Sequence, residues 1–251
     1  MATPVLILPP RYTPDSIALW HAATRAGWRS ERLQQWRVPD WLHGERCVIY
    51  GEPLFAHAIA PELGVRLIEP DADWLVHLPP ACVRRDVRCT TLGEARTVNT
   101  RSFFKCADEK SFLADVYACG NDIPNIDVLP ADTLVLVAEP VRWEQEFRCF
   151  VRERTLEAIS IYIRDGEVAE GREKDWPATE EELAAATDYC QSLLADPAVH
   201  LPAALVIDVG IMADRGWAVV EANPAWGSGV CSCSVDAVLR VIETACPPQD
   251  A

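Results

Sequence analysis

Two acids stand inside runs of residues that otherwise have no use for charge. Leu205-Val206-Ile207-Asp208-Val209-Gly210-Ile211 and Trp217-Ala218-Val219-Val220-Glu221-Ala222-Asn223-Pro224 flank the turn Asp214-Arg215-Gly216, the pattern of a β-hairpin. A carboxylate in such a run costs free energy unless it is paired or metal-bound. A turn centred between Asp214 and Arg215 sets Asp208 directly opposite Glu221, and opposed residues hold their Cβ atoms ~4.5–5.5 Å apart. Asn223, two residues on, shares the face of Glu221. Two carboxylates and an amide oxygen at one point repel without a cation. With one they are the hard oxygen ligands that Mg²⁺ takes, phosphate oxygens completing its shell. The competing reading is a solvated face of an edge hairpin, against which the apolar flanks argue.

Two further groups carry chemistry. Phe103-Phe104-Lys105 ends a strand and aims an ammonium at whatever cleft lies beyond the sheet. Phosphate is the usual reason for a point charge there, although plain surface lysines also end strands. Only three of the 23 basic residues are Lys, and two of them, Lys105 and Lys110, bracket one polar turn. Then comes Leu136-Val137-Ala138-Glu139-Pro140-Val141, followed by Glu144-Gln145-Glu146-Phe147-Arg148. An apolar strand running into a short connector offers backbone N–H and C=O groups to an adenine edge. A carboxylate just after it suits ribose hydroxyls. Arg148 shares the face of Glu146 and would meet phosphate, a substrate carboxylate or, as a surface pair, Glu146 itself.

The elements that must position these groups fall into two textures. Up to about residue 95 strands and helices alternate: Val5–Leu8, a helix capped by Thr13 and opened by Pro14 that runs to Ala26 with Gly27 behind it, a weaker strand at 33–38, a strand at 47–50, a helix at 53–62 and a strand at 65–68. That rhythm indicates an α/β layer with parallel pairing. The Pro79-Pro80 pair ends the next short helix. From residue 96 the pattern is strand-rich: a strand ending at Lys105, a helix at 111–119, strands at 133–138, 147–151 and 156–162, a helix at 180–194, the hairpin, and a last helix from Val235 to Ala245. Residues 165–182 hold eight carboxylates against Arg172 and Lys174 and read as a solvated loop and helix start.

Composition narrows the classes. The chain has 251 residues, 49% of them hydrophobic and 24% charged, which excludes a disordered or collagen-like chain. A net charge of −15 argues against a nucleic-acid or anionic-membrane surface, which would need a broad basic face. No run approaches the ~18 apolar residues of a membrane span, and the N-terminal apolar patch reads as a strand and not a leader. Ten Cys, several inside apolar runs, fit reduced thiols and a cytoplasmic location. Cys231-Ser232-Cys233 is a weak metal signal without a second pair. The five His lie outside these motifs, and no Ser-His-Asp or Cys-His catalytic set is apparent.

Taken in order, strand-Lys, Glu-connector-Glu and Asp…Glu-x-Asn-Pro resemble the ATP-grasp superfamily over residues 96–230. The resemblance implies a small N-terminal α/β domain (1–95) followed by an ATP-grasp domain (96–251, α+β in its C-terminal part) with nucleotide held between two sheets. It implies ATP and Mg²⁺ as cofactors. Asp208, Glu221 and Asn223 would hold Mg²⁺, Lys105 would contact phosphates, Glu139 and Val141 would frame adenine and Glu146 would bind ribose. Arg101, Lys110 and Arg148 are further phosphate candidates, and Lys105 and Arg148 would carry the catalysis. The implied activity is an ATP-dependent carboxylate–amine or carboxylate–thiol ligase working through an acyl-phosphate. Its carboxylate partner would be a small molecule, peptide or protein. The alternative is an assembly or regulatory factor that binds Mg-ATP without ligase turnover. Arg148, Arg164 and Lys174 are candidates for an anionic acceptor. Trp226 is a candidate wall beside the γ-phosphate or a core residue, and Gly227 and Gly229 suggest a tight loop near the metal. Two departures stand out. The stretch from Cys106 to Ser111 lacks the glycine-rich flap of many ATP-grasp ligases. Val206 and Ile207 stand where D-alanine–D-alanine-type ligases carry an Arg before the metal Asp. The pattern looks closer to a divergent clade that includes a eukaryotic factor for assembling a translation initiation complex.

Overall fold

The structure is a computed structural model that describes residues 3–107, 111–124, 129–168 and 177–249. The chain opens with β1 (Val5–Leu8), α1 (Pro14–Arg25), β2 (Arg29–Arg32), β3 (Cys47–Ile49) and α2 (Pro53–Ile59). The three strands form a parallel sheet in the order β2-β1-β3. Thr13 caps α1 as expected: its hydroxyl accepts from Ser16 N at 3.1 Å, Ser16 Oγ accepts from Thr13 N at 3.0 Å, and Pro14 occupies the first turn. The strand expected at 33–38 is not there. The pairing ends at Arg32, and Gln35 and Trp36 adopt positive φ in a 3-10 turn, a geometry no strand accommodates. Helix α2 stops at Ile59. The stretch expected as a strand at 65–68 makes a single bridge, Val65 to Pro248, and runs extended against the C-terminal turn.

Next come α3 (Pro80–Val83), β4 (Val87–Thr91), α4 (Leu92–Ala95), β5 (Ser102–Cys106), β6 (Asp115–Tyr117) and β7 (Leu134–Ala138). Four of these strands make an antiparallel sheet in the order β4-β7-β5-β6. Strand β4 lies on the N-terminal side of residue 96 and is an edge of this sheet. The helix expected at 111–119 is replaced by β6: Val116 and Tyr117, β-branched and aromatic, pair with Phe103 and Ser102 on the open edge of β5. Gly120 follows because α4 comes so close that a Cβ there would collide with the Ala95 carbonyl.

The chain ends with β8 (Trp143–Arg152), β9 (Thr155–Arg164), β10 (Glu167–Val168), α5 (Glu180–Ala195), β11 (Ala204–Met212), β12 (Gly216–Asn223) and α6 (Val235–Ala245). The five strands form an antiparallel sheet ordered β10-β9-β8-β11-β12. Alternation sends Phe147, Cys149, Ile207 and Val209 to one face, where they bury against Ala186, Cys190 and Leu193 of α5. On the other face Phe150 and Val206 pack into the core formed by β1, β3, α2 and α6. The remainder of that face is polar and looks toward the four-stranded sheet.

The N-terminal sheet and α6 therefore share one core. Ile242 is fully buried there with Val5, Ile7 and Phe55. Replacing Ile242 by Ala should lower unfolding stability by about 2–5 kcal/mol. Leu113→Ala, at a position 71% exposed, should stay within about 0.5 kcal/mol of wild type. Urea denaturation measures both, and an unaffected midpoint in Ile242→Ala would show that α6 does not close this layer.

Candidate functional site

The hairpin delivers the expected pairing by an unexpected route. Near the turn, Met212 pairs with Gly216, Ile211 with Trp217 and Val209 with Val219. That ladder, continued, would set Val220 opposite Asp208. A β-bulge intervenes, Val220 is the extra residue, and Glu221 comes to face Asp208. Asn223 sits at the same place: its Nδ2 donates to Glu221 Oε1 at 2.8 Å and approaches Asp208 Oδ2 at 3.4 Å. Oxygens of both acids thus already converge on one atom, and a half-turn of the amide would present its oxygen there. This donor set suits a hard divalent cation.

Each acid has its own cation. Arg148 pairs directly across β8–β11 with Asp208, and the two make a bidentate ion pair, Nε to Oδ1 at 3.0 Å and Nη2 to Oδ2 at 2.8 Å. Asp208 is fully buried and the Arg148 side chain is 9% exposed. Burial alone would pull the guanidinium down; the Asp208 charge and hydrogen bonds outweigh it and hold Arg148 above its ordinary value. The Tyr162 ring lies 4.1 Å from its Cζ. Lys105, from β5 of the facing sheet, hydrogen-bonds Glu221. Burial works against the ionised Glu221, but the Lys105 charge prevails and brings it down to about 2. Glu146 lies two residues from Arg148 on the same strand face. It is buried, and desolvation with the Asp208 and Glu221 charges pushes it up to about 8.

A cavity of about 250 Å³ opens beside Lys105 and Glu221, between the four- and five-stranded sheets. Val87, Phe103, Leu136 and Trp143 give it apolar walls, and the connector Glu139-Pro140-Val141 forms one side. Glu139 is held in a bidentate pair by Arg215 of the hairpin turn, 2.6 and 2.8 Å. Glu146 does not line this cavity. Arg101 is exposed ahead of β5, and Lys110 lies outside the described residues, as does Lys174.

Other candidates are placed differently. Arg164 is taken by Glu182 through two hydrogen bonds of 2.9 Å. Trp226 is fully buried in the N-terminal core, its indole N–H on the Ile68 carbonyl at 3.0 Å, so it forms no wall of the cavity. The loop after Asn223 does approach the site: the Gly229 carbonyl lies 3.4 Å from Arg148 Nη1, and the Val230 N–H donates to Asp15 at 3.0 Å. Cys231 and Cys233 diverge. The Cys233 thiol meets Ser160 Oγ at 3.2 Å, while the Cys231 sulfur lies 3.9 Å from Arg148 Nη1. Arg85, Trp143, Tyr162, Arg215 and Asp15 were not expected from the motifs. Only Arg215, in the hairpin turn, carried a positional signal.

Two expectations follow. Arg148→Met leaves Asp208 buried without its counter-charge and should destabilise the metal-free protein by about 3–5 kcal/mol. Adding Asp208→Asn should restore most of the loss in urea denaturation with EDTA. The hydrogen bonds from Arg215 bring Glu139 down from 4.5 to about 2. The pair is therefore at full strength above the ordinary carboxylate value and is lost only as the pH falls through the depressed one. The carboxyl carbon of Glu139 should titrate accordingly by NMR; a midpoint near the ordinary value would mean the pair does not form in solution.

Comparison with known proteins agrees with this architecture. Residues 83–241 match the model of the family described as ATP-grasp domain, R(2)K clade family 2. No curated protein matches the sequence. Among solved structures, a RimK domain protein ATP-grasp from Sphaerobacter thermophilus superposes with a TM-score of 0.52 at 16% identity, over 97% of this chain and 99% of that one. N5-carboxyaminoimidazole synthetase from Staphylococcus aureus gives 0.57 at 10% identity, over 99% and 80%. D-alanine–D-alanine ligase from Bacillus anthracis gives 0.54 at 9% identity, over 97% of each chain. At these identities the likeness is one of fold. With the family model spanning well over half of its length, the chain belongs to the ATP-grasp family, R(2)K clade family 2.

Proposed function

We propose that the protein binds ATP and Mg²⁺ between its two antiparallel sheets and acts as an ATP-dependent ligase, activating a carboxylate as an acyl-phosphate for attack by an amine or a thiol. The observation that carries this reading is the meeting of Asp208, Glu221 and Asn223 with Lys105 and Arg148 at one end of an apolar cavity. Val87, Phe103, Leu136 and Trp143 would take adenine, with backbone of the Glu139–Val141 connector at its edge. Glu146, the acid the sequence offers for ribose, lies outside the cavity lining on the strand face of Arg148, so the ribose would have to extend past the lining to meet it. Asp208, Glu221 and Asn223 would hold Mg²⁺, which when bound offsets phosphate charge and orients the transferred group.

Lys105 and Arg148 neutralise the two acids in the metal-free protein. With those acids committed to the metal, both cations are available to phosphate oxygens, and Arg101, just ahead of β5, would join them. Their part is positioning and charge stabilisation, which is most of what phosphoryl transfer asks of a protein. Attack by the amine or thiol on the acyl carbon then expels phosphate. Arg148 also stands where it would meet charge on that phosphate. It reaches Asp208 from the directly opposed position on the neighbouring strand β8, whereas the hairpin itself has Val206 and Ile207 ahead of Asp208. The fold neighbours named as ligase and synthetase support activity of this class; the carboxylate would belong to a small molecule, a peptide or a protein. Cys47, Cys149, Cys190 and Cys246, buried in the apolar cores, fit a cytoplasmic location. One observation favours the alternative, a Mg-ATP-binding assembly factor without turnover: both oxygens of Asp208 are engaged by a buried Arg.

Calorimetric titration of ATP with Mg²⁺ and with EDTA, on wild type and Glu221→Gln, tests the site. Binding should require Mg²⁺ and weaken at least tenfold, about 1.4 kcal/mol, in the variant. Absence of binding under both conditions would defeat the proposal. Phosphate release that rises only when a carboxylate and an amine are both supplied would establish turnover; Mg-ATP binding with no such release across amino acids, peptides and thiols would favour the assembly factor.

A further inference from the structure

The position of Glu221 depends on one irregularity. Without the bulge at Val220, the register near the turn would turn Glu221 onto the face that packs against α5 and leave Val220 opposite Asp208, because a one-residue slip exchanges the two faces of a strand. Something must hold that bulge, since among the described residues β12 is an edge strand with no further strand to pair its outer carbonyls.

Arg85 does so. Successive carbonyls of a regular strand point to opposite edges; at the bulge two consecutive ones are turned to the same guanidinium. Nη1 donates to Val219 O at 2.7 Å and Nη2 to Val220 O at 2.9 Å, while Nη1 also reaches Val83 O at 3.1 Å. The Trp143 ring lies 5.0 Å from its Cζ. Among the described residues no carboxylate lies within ion-pair distance of Arg85, so backbone carbonyls are its hydrogen-bonding partners. The inner side is fitted to the same shape. A Cβ on Gly210 would lie 2.8 Å from Trp143 Cε3 and 3.1 Å from Val220 Cγ2, so glycine there lets both side chains close over β11.

We propose that Arg85 is a positioning residue for the metal-binding acids: by bonding the two carbonyls of the β12 bulge it fixes the register that sets Glu221 across from Asp208. This rests on the reading of Asp208, Glu221 and Asn223 as metal ligands. Lys at position 85 keeps the charge but lacks the planar fork that spans two carbonyls, so it should not substitute.

The test uses Arg85→Met and Arg85→Lys in the full chain. Hydrogen–deuterium exchange without ligand should quicken at residues 219–222 in both, with the rest of the five-stranded sheet unchanged. The Mg²⁺ concentration that half-saturates ATP binding should rise about tenfold or more, as for other groups that orient metal ligands, while ATP affinity at saturating Mg²⁺ is unaltered. Unchanged exchange at residues 219–222 would overturn the inference. So would an unchanged Mg²⁺ requirement, or a loss of ATP affinity that persists at saturating Mg²⁺, which would make Arg85, itself on the cavity lining, a nucleotide contact. If wild type itself shows no Mg²⁺-dependent ATP binding, the reading of the site fails and this inference fails with it. Wild-type binding with indifferent variants removes only the part given to Arg85.

Discussion

Charge balance on one sheet face governs this molecule. Asp208 is fully buried, Glu221 stands beside it, and two carboxylates so placed cannot both stay ionised without cations at hand. The protein supplies one from each direction, Arg148 within the same sheet and Lys105 from the sheet opposite. The two links differ in kind. The Arg148–Asp208 pair belongs to one sheet, so it forms however closely the two sheets are held. The Lys105–Glu221 pair crosses between sheets, so its strength depends on how closely the two are held.

The rest of the fold serves that arrangement. Helix α5 covers the apolar face of the five-stranded sheet and leaves the other free to turn polar in its middle. The N-terminal sheet and α6 bury the far end of that polar face, where Phe150 and Val206 pack. The same layer reaches the loop behind Asn223 through Asp15, Tyr50 and Gly51: Val230 N–H donates to Asp15, Tyr50 O–H to the Ser228 carbonyl at 3.1 Å, and Gly51 N–H to the Trp226 carbonyl at 3.1 Å. A layer that contributes no residue to the acid cluster thereby fixes the carbonyl of Gly229 near Arg148.

Legibility in the sequence follows from how local each signal is. The hairpin was readable because acids in apolar runs are costly anywhere, and period-two alternation says which residues share a face. Even so, the correct pairing of Asp208 with Glu221 came from a turn placed slightly off, and the bulge at Val220 made up the difference. Helix α1 was readable because Thr13 sits within three residues of its partner, and α5 because its apolar residues recur at helical spacing; Thr179 caps it by the same local geometry. Strand β6 was not, since its reason for being extended is the open edge of β5, which no local window contains. Strand β4 went unread for the same reason, since its partner β7 lies far along the chain. The cations followed suit. Lys105 and Arg148 stood in motifs, whereas Arg85 and Arg215 owe their roles to carbonyls and a carboxylate brought near only by folding.

The links between the two sheets point to how the cleft works. Lys105–Glu221 lies at the inner end and Arg215–Glu139 at the mouth, and in both an acid or base of the four-stranded sheet meets its opposite from the β11–β12 hairpin. The apolar walls between them, Phe103, Leu136 and Trp143, leave open space and contribute little attraction in the empty cleft. Opening therefore requires these two ion pairs to part, one of them one-third exposed at both partners and hence weak, together with the hydrogen bonds of Arg84 and Arg85 to the hairpin. A flat apolar ligand that fills the space would add burial to both sheets at once, so closure would be strengthened by the ligand and not by the empty protein. A polyanion at the inner end would draw Lys105 off Glu221 while offering it a stronger partner, and Glu221 would then need a cation of its own. On the proposed reading, the nucleotide's phosphates and a divalent metal would be mutually dependent occupants: each would remove the charge that opposes the other.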